Sequence, residues 1–215
     1  MNKTICAIKV LVCALLVIAV TSLEAATPLY QAVKNENAAA VQQLLQEAGT
    51  DVNALFWNDE PPLVEAAHNS EIVRLLLAAG AKVDAIGHGK MTALQQAASC
   101  GNVESVDALM AAGADVNAGL PNMTPLHFAA YHGHCAVVER LLQVPGIDVN
   151  AARNGGFTPL LEAVFNGHSA VVERLLQVPE IDVNAVEQNG QTALAYALRG
   201  GDTATAELLK AHGAK

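Results

Sequence analysis

The chain has 215 residues, of which 52% are hydrophobic and only 4% aromatic, and its formal net charge is −9. Acidic residues outnumber basic ones 21 to 12, and no run of Lys or Arg occurs, which argues against a nucleic acid as a ligand. A core with so few aromatic residues must consist mainly of Ala, Leu and Val, which suits thin helices that stack closely.

The first 25 residues differ in composition from the rest. Two lysines precede an apolar run from Val10 to Val20, and small residues follow that run. This order predicts a secretory signal peptide over residues 1–25, cleaved after Ser22 or Ala25. We therefore expect an exported protein, periplasmic or secreted. An uncleaved N-terminal membrane anchor is the alternative, although a spanning helix needs about 20 apolar residues.

The stretch from Thr124 to Asn154 shows how the remaining chain is built. Thr124 is suited to cap a helix that starts at Pro125, and Gly133 is suited to end that helix in a left-handed conformation. Apolar residues then recur at helical spacing over residues 137–142, which predicts a second short helix. Polar and apolar residues alternate after it, and a turn follows at Asn154.

This pattern repeats along the chain with a period of about 33 residues. A helix shorter than about 12 residues is marginal alone in water, so each unit must bury its apolar stripe against its neighbours. The spacings between successive unit starts are 34, 31, 32, 34 and 34 residues. The starts are Thr27, Pro61, Thr92, Thr124, Thr158 and Thr192.

The segments Thr124-Pro-Leu-His-Phe-Ala-Ala130 and Thr158-Pro-Leu-Leu-Glu-Ala163 resemble the repeat of the ankyrin-repeat family, including its exported bacterial members. The resemblance implies one all-α domain over residues 26–215, an ankyrin-repeat solenoid of six stacked helix-turn-helix units with β-turn or hairpin fingers. It also implies a concave binding surface lined by the finger tips and the exposed side of each first helix. The predicted repeats are 27–58, 61–89, 92–122, 124–155, 158–189 and 192–215.

Two units depart from a uniform repeat. Ala67 and Ile72 are closer together in the sequence than their counterparts in unit four, which shows that unit two has two fewer residues between its helices. Thr205 and Ala206 replace two valines in unit six, as expected for a terminal unit that faces solvent. We expect the glycines of residues 86–89 and 199–202 to supply positive φ angles in fingers and helix turns.

No motif of known chemistry occurs in the sequence, so we predict no enzyme activity, no cofactor and no metal site. His127 is expected to be a buried residue that hydrogen-bonds within and between units, while His134 and His168 should begin second helices. Cys100 and Cys135 would remain after signal cleavage. A disulfide between them stays open, although a stacking distance of roughly 10 Å disfavours it.

Positions that the core does not require are the candidates for binding. The finger tips and the exposed side of the first helices carry most of the aromatic residues, and large aromatic side chains are common anchors in protein interfaces. The alternative is that some of them only cover a neighbouring unit. The predicted binding residues are Phe56, Trp57, His88, Phe128, Tyr131, His132, Arg153, Phe165 and Asn166.

The resemblance predicts a non-catalytic scaffold that binds an unknown protein partner. Two alternatives stay open: an accessory or protective partner of an exported enzyme, as some periplasmic relatives look to be for peroxide-handling enzymes, and a secreted effector directed at a host cell. We expect a monomer, with no nucleic-acid partner and no membrane contact beyond the N-terminal signal.

Overall fold

The computed structural model describes residues 28–56, 59–119 and 123–215. Within these ranges the chain forms twelve α-helices and no strand, which confirms the predicted all-α solenoid. The signal peptide predicted over residues 1–25 lies outside the described residues. Numbered in chain order, the helices are α1 (28–34), α2 (Ala38–Gln46), α3 (Pro62–Glu65), α4 (Ser70–Ala78), α5 (Ala93–Cys100), α6 (Val103–Ala111), α7 (Pro125–His132), α8 (Cys135–Leu141), α9 (Pro159–Phe165), α10 (Ser169–Leu176), α11 (Ala193–Gly200) and α12 (Thr203–Ala211).

The first helix of each regular unit begins and ends as the sequence predicts. Thr124 accepts a hydrogen bond from the His127 N–H, and Pro125 occupies the first turn of α7. Gly133 ends the same helix with φ of 75°, a left-handed conformation that glycine adopts without steric cost. A Cβ at this position would also collide with the ring of His168 from the next unit.

The helices form two layers. The first helices α5, α7, α9 and α11 pack against one another in sequence, and the second helices α4, α6, α8, α10 and α12 do the same. The interior between the layers consists of Ala, Val and Leu; in unit four, Leu126, Val138 and Leu141 are fully buried. Because each helix is short, most of its stability comes from this packing.

Unit two departs from the regular pattern where the sequence predicts. Its first helix α3 has only four residues and passes into a 3-10 turn over Ala66–His68. Asn69 alone separates that turn from α4, and its side chain caps α4 by accepting a hydrogen bond from the Ile72 N–H. The shortened connection is therefore accommodated by tightening the helix.

The fingers are tight turns. In the second finger, the expectation that the glycines of residues 86–89 supply the positive φ angle is wrong. The positive φ in this finger belongs to Lys90, at 56°, and not to Gly87 or Gly89. A Cβ at Gly87 would instead collide with the carboxylate of Glu60. That carboxylate accepts a hydrogen bond of 2.9 Å from the His88 N–H, which joins the first finger to the second.

A series of asparagines joins each finger to the following unit. Asn117 is representative: its Oδ1 accepts a hydrogen bond from the Asp148 N–H at 2.9 Å, and its Nδ2 donates one to the Gly146 carbonyl at 2.8 Å. Asp84 is the exception, because its carboxylate accepts from the Asp115 N–H at 3.1 Å but has no proton to donate to a carbonyl. The other asparagines that make both bonds are Asn53, Asn150 and Asn184.

Replacing Asp84 with asparagine should stabilise the protein. The new Nδ2 can donate to the Gly113 carbonyl, which stands where Gly146 stands for Asn117, and one hydrogen bond contributes about 0.5–1.5 kcal/mol. Urea unfolding of Asp84→Asn measures the gain. The reverse change, Asn117→Asp, is the matched control and should lose a similar amount. Equal or lower stability of Asp84→Asn would contradict this account.

A second kind of connection between units uses the fourth residue of the segment that begins each first helix, which is Thr-Pro-Leu-His in unit four. We call this segment the first-helix motif. His127 is fully buried; its Nε2 lies 3.0 Å from the Phe157 carbonyl, so Nε2 carries the proton, and Nδ1 accepts from the Thr124 N–H at 3.1 Å. The expected role of His127 within and between units is thus confirmed. In unit three, Gln95 does the same work by donating to the carbonyls of Ala118 and Met123.

Stability should fall below neutral pH partly because of His127. Burial lowers the pKa of His127, so the unfolded chain binds this proton first as pH falls below about 6.5. The cost is at most about 1.4 kcal/mol per pH unit for one proton. His127→Gln, which copies the glutamine of unit three, should keep most of the stability at pH 7.5 and lose less than the parent between pH 7 and pH 5. Unfolding curves at several pH values measure the difference, and parallel pH profiles would contradict the assignment.

Candidate functional site

Equivalent positions in three successive units form one line on the exposed side of the first helices. Tyr131, Phe165 and Arg199 each lie seven residues after the threonine that caps their helix. The side chains of Tyr131 and Phe165 are 43% and 56% exposed, and Arg199 is also exposed. We call these three residues the first-helix row. Their exposure means that the stack does not require them for its core.

An aromatic cluster supports the row at units five and six. The rings of Phe157, Phe165 and Tyr196 pack edge to face or tilted, with centroids 5.4 to 5.9 Å apart. Arg199 lies over the Tyr196 ring at 4.8 Å from its centroid. These contacts hold Phe165 and Arg199 in defined positions although both remain open to solvent.

A groove of about 390 Å³ opens between the C-terminal ends of α9 and α11. Phe165, Tyr196 and Arg199 line it together with Asn166 and Asp202. It combines apolar ring surface with a cation and hydrogen-bonding groups, which suits a side chain of a partner protein.

The predicted binding residue Arg153 has a structural role instead of a free surface position. Its guanidinium is paired with the carboxylate of Glu162 and lies over the Phe157 ring, 4.6 Å from the centroid. Glu162 is only 1% exposed, and its Oε2 has no hydrogen-bond partner among the described residues. Breaking such a buried pair leaves an uncompensated charge.

The other predicted residues of the first helices are less exposed than the row or are held by local contacts. Phe128 is half-buried and packs against the core, in agreement with the alternative that it covers a neighbouring unit. Asn166 ends α9, and its Nδ2 donates to the Glu162 carbonyl at 2.8 Å. His132 is exposed and stacks on His134, 5.9 Å between ring centroids. Partial burial has the largest effect in lowering the pKa of His132, and the nearby imidazoles lower this pKa further.

Three of the predicted residues belong to the first two predicted fingers, and the structure describes two of them, Phe56 and His88. Phe56 is only 3% exposed and packs edge-on against Tyr30, 4.6 Å between centroids, so its expected placement outside the core is wrong. It belongs to the hydrophobic core. His88 is exposed at the second finger, where its N–H is held by Glu60. Trp57 lies outside the described residues.

Two further histidines join neighbouring units, and the two cysteines of the described residues are not bridged. His134 and His168 begin α8 and α10, as predicted, and their Nε2 atoms lie 3.0 and 2.9 Å from carbonyls of the preceding unit, those of Ser99 and Tyr131. Both Cys100 and Cys135 are free thiols.

The side chains of types that can bind a metal ion do not cluster in the described residues. No three or more His, Cys, Asp or Glu residues lie together in an arrangement that could hold a metal ion within residues 28–56, 59–119 and 123–215. In the same ranges no helix combines the length and apolar character that crossing a membrane requires.

Sequence reasoning identified Tyr131 and Phe165 but missed the residues that complete the site. Arg199 occupies the same register as these two, so superposing unit six on units four and five would have found it. Tyr196 stands in the register of Phe128, and Phe157 precedes the cap of α9. Their contact across three units depends on the stacking geometry and has no signal in the sequence.

Comparison with known proteins agrees with this architecture. A family model described as ankyrin repeats in three copies matches the chain at residues 2–86, 29–119, 83–153 and 126–215. An ankyrin repeat and KH domain-containing protein of Caenorhabditis briggsae is 34% identical over 125 residues, a segment that covers 55% of this chain but only 5% of that relative. The chain therefore belongs to the ankyrin-repeat family.

Proposed function

We propose that this chain is a non-catalytic scaffold that binds a protein partner across the exposed side of its first helices. The family supports the general class, because ankyrin repeats typically act in protein–protein interaction and typically are not catalysts. The fold alone does not specify a partner, so the proposal must rest on a surface.

The single observation that carries the proposal is the exposure of two large aromatic side chains at equivalent positions of neighbouring units. Tyr131 packs edge-on against His132, 4.9 Å between centroids, and Phe165 packs against Phe157 and Tyr196. Rigid, half-exposed rings can be buried by a partner with little loss of side-chain entropy. Residues of this kind commonly supply most of the binding free energy in an interface.

Export is part of the proposal and is supported by the composition of residues 1–25. A basic start, an apolar run and small residues before Thr27 are typical of a cleaved signal. An exported scaffold would meet its partner in the periplasm or outside the cell. An enzyme that needs an accessory protein and a host-cell protein are both candidates, and the identity of the captured partner separates them.

Tyr131→Ala should strongly reduce partner capture without unfolding the protein. We expect at least about a tenfold loss of the partner captured by the immobilised chain, as measured by quantitative mass spectrometry. The free energy of unfolding should change by less than about 1 kcal/mol, because the side chain is 43% exposed.

Two control variants in the same unit define the scale. Gln143→Ala, at an exposed residue after α8, should alter neither capture nor stability. Leu141→Ala removes a fully buried side chain and should cost about 2–5 kcal/mol. A loss of stability in Tyr131→Ala comparable to that of Leu141→Ala would make Tyr131 a structural residue and remove the support for the proposal.

Expression of the full chain in a Gram-negative host tests export. Intact-mass and N-terminal analysis of the periplasmic fraction should show a chain that begins at Leu23 or Ala26, after cleavage at Ser22 or Ala25. A full-length chain in the membrane fraction would instead indicate the anchor alternative, and a full-length chain in the cytoplasm would exclude export.

A further inference from the structure

Arg199 differs from three other arginines of the chain in having no carboxylate partner. Arg140 is paired with Asp107 at 2.8 Å and Arg174 with Glu139 at 2.9 Å, and Arg153 is paired with Glu162. The guanidinium of Arg199 makes no ion pair or hydrogen bond with the part of the chain that the structure describes. Its contact is the face of the Tyr196 ring, which leaves all five N–H donors available.

One carboxylate, that of Asp202, shares the groove with Arg199. Asp202 lines the same groove, but its Oδ1 accepts a hydrogen bond from the Thr205 N–H at 3.0 Å as the cap of α12. Hydrogen bonds from the Thr205 side chain and backbone hold the pKa of Asp202 below its usual value. Asp202 is therefore ionised and opposes a bound carboxylate, but its Oδ1 is already used to cap α12. No second carboxylate of the described residues lines the groove.

The spacing of the row fits an extended segment. Packed helices lie about 8–10 Å apart, so Tyr131, Phe165 and Arg199 present one contact every 8–10 Å. A polyproline-II segment rises about 3.1 Å per residue and has three residues per turn, which places every third side chain on the same side. Such a segment matches one side chain to each unit.

Resting on the proposed function, we propose that the first-helix row binds an extended segment of a partner protein with two apolar side chains and one carboxylate, each three residues apart. The apolar side chains cover Tyr131 and Phe165, and the carboxylate receives a bidentate pair of hydrogen bonds from Arg199 in the groove between α9 and α11. Bidentate geometry is the arrangement for which an arginine is suited.

Designed peptides test the inference directly. The probes are fluorescein-labelled 12-residue peptides of proline and serine, with leucine at the third and sixth positions and glutamate at the ninth. A second peptide has the reverse order, because the direction of the segment is open. Each is paired with a version in which glutamine replaces glutamate. Fluorescence anisotropy with the full chain gives the dissociation constants, and one glutamate peptide should bind about tenfold more tightly than its glutamine version.

Variants of the protein localise the effect. Arg199→Gln should weaken the glutamate peptide about tenfold and leave the glutamine peptide unchanged. Lys210→Gln, which removes an exposed cation of the same unit outside the groove, should change neither. Asp202→Asn keeps a residue suited to cap α12 and should tighten the glutamate peptide. Phe165→Ala should weaken both peptides, and all four variants should keep the parent's melting temperature within a few degrees.

The outcomes separate this inference from the proposed function. Equal binding of the glutamate and glutamine peptides, or binding that Arg199→Gln does not alter, would overturn the inference. Failure of both peptide orders to bind would overturn it as well. In each case, partner capture that depends on Tyr131 would leave the scaffold function standing, whereas loss of that dependence would remove both.

Discussion

The structure depends on polar side chains of one unit that bond to the backbone of the next. Two short helices cannot bury their apolar faces alone, and apolar packing by itself does not fix the register of one unit on another. Two sets of side chains fix that register: the asparagines of the fingers and the histidines that begin the second helices. Each of these side chains bonds to a backbone carbonyl or N–H of the neighbouring unit. These bonds allow the exposed side of the first helices to vary without loss of the fold.

Different units meet the same requirement with different chemistry. At the fourth position of the first-helix motif, His127 and Gln95 both join their cap to the following finger. Leu161 stands at this position in unit five and has no polar group to contribute. There the adjacent residue Glu162 pairs with Arg153, so a partly buried ion pair ties a finger to a first helix. Such a pair adds little net stability but is costly to break, which favours one arrangement of units four and five.

This arrangement has a consequence for the surface. Arg153 lies over Phe157, which in turn packs against Phe165 and Tyr196, so the ion pair and the aromatic cluster are continuous. The cluster holds Phe165 in place while more than half of its surface stays exposed. Ordering a side chain before a partner arrives lowers the entropy cost of binding. The local chemistry of units four to six thus holds this part of the surface in place before binding.

The fold was predictable from the sequence, because threonine caps, glycine ends and a period of about 33 residues are local signals that recur along the chain. The sequence also indicated the roles of His127, His134 and His168, and it placed Tyr131 and Phe165 outside the core. The sequence did not show that Phe56 and Glu162 are buried or that Arg199 has no carboxylate partner, because burial and pairing depend on contacts between side chains that are distant in the chain. A repeat pattern specifies which positions are equivalent, but the side chains of neighbouring units decide which of those positions remain exposed.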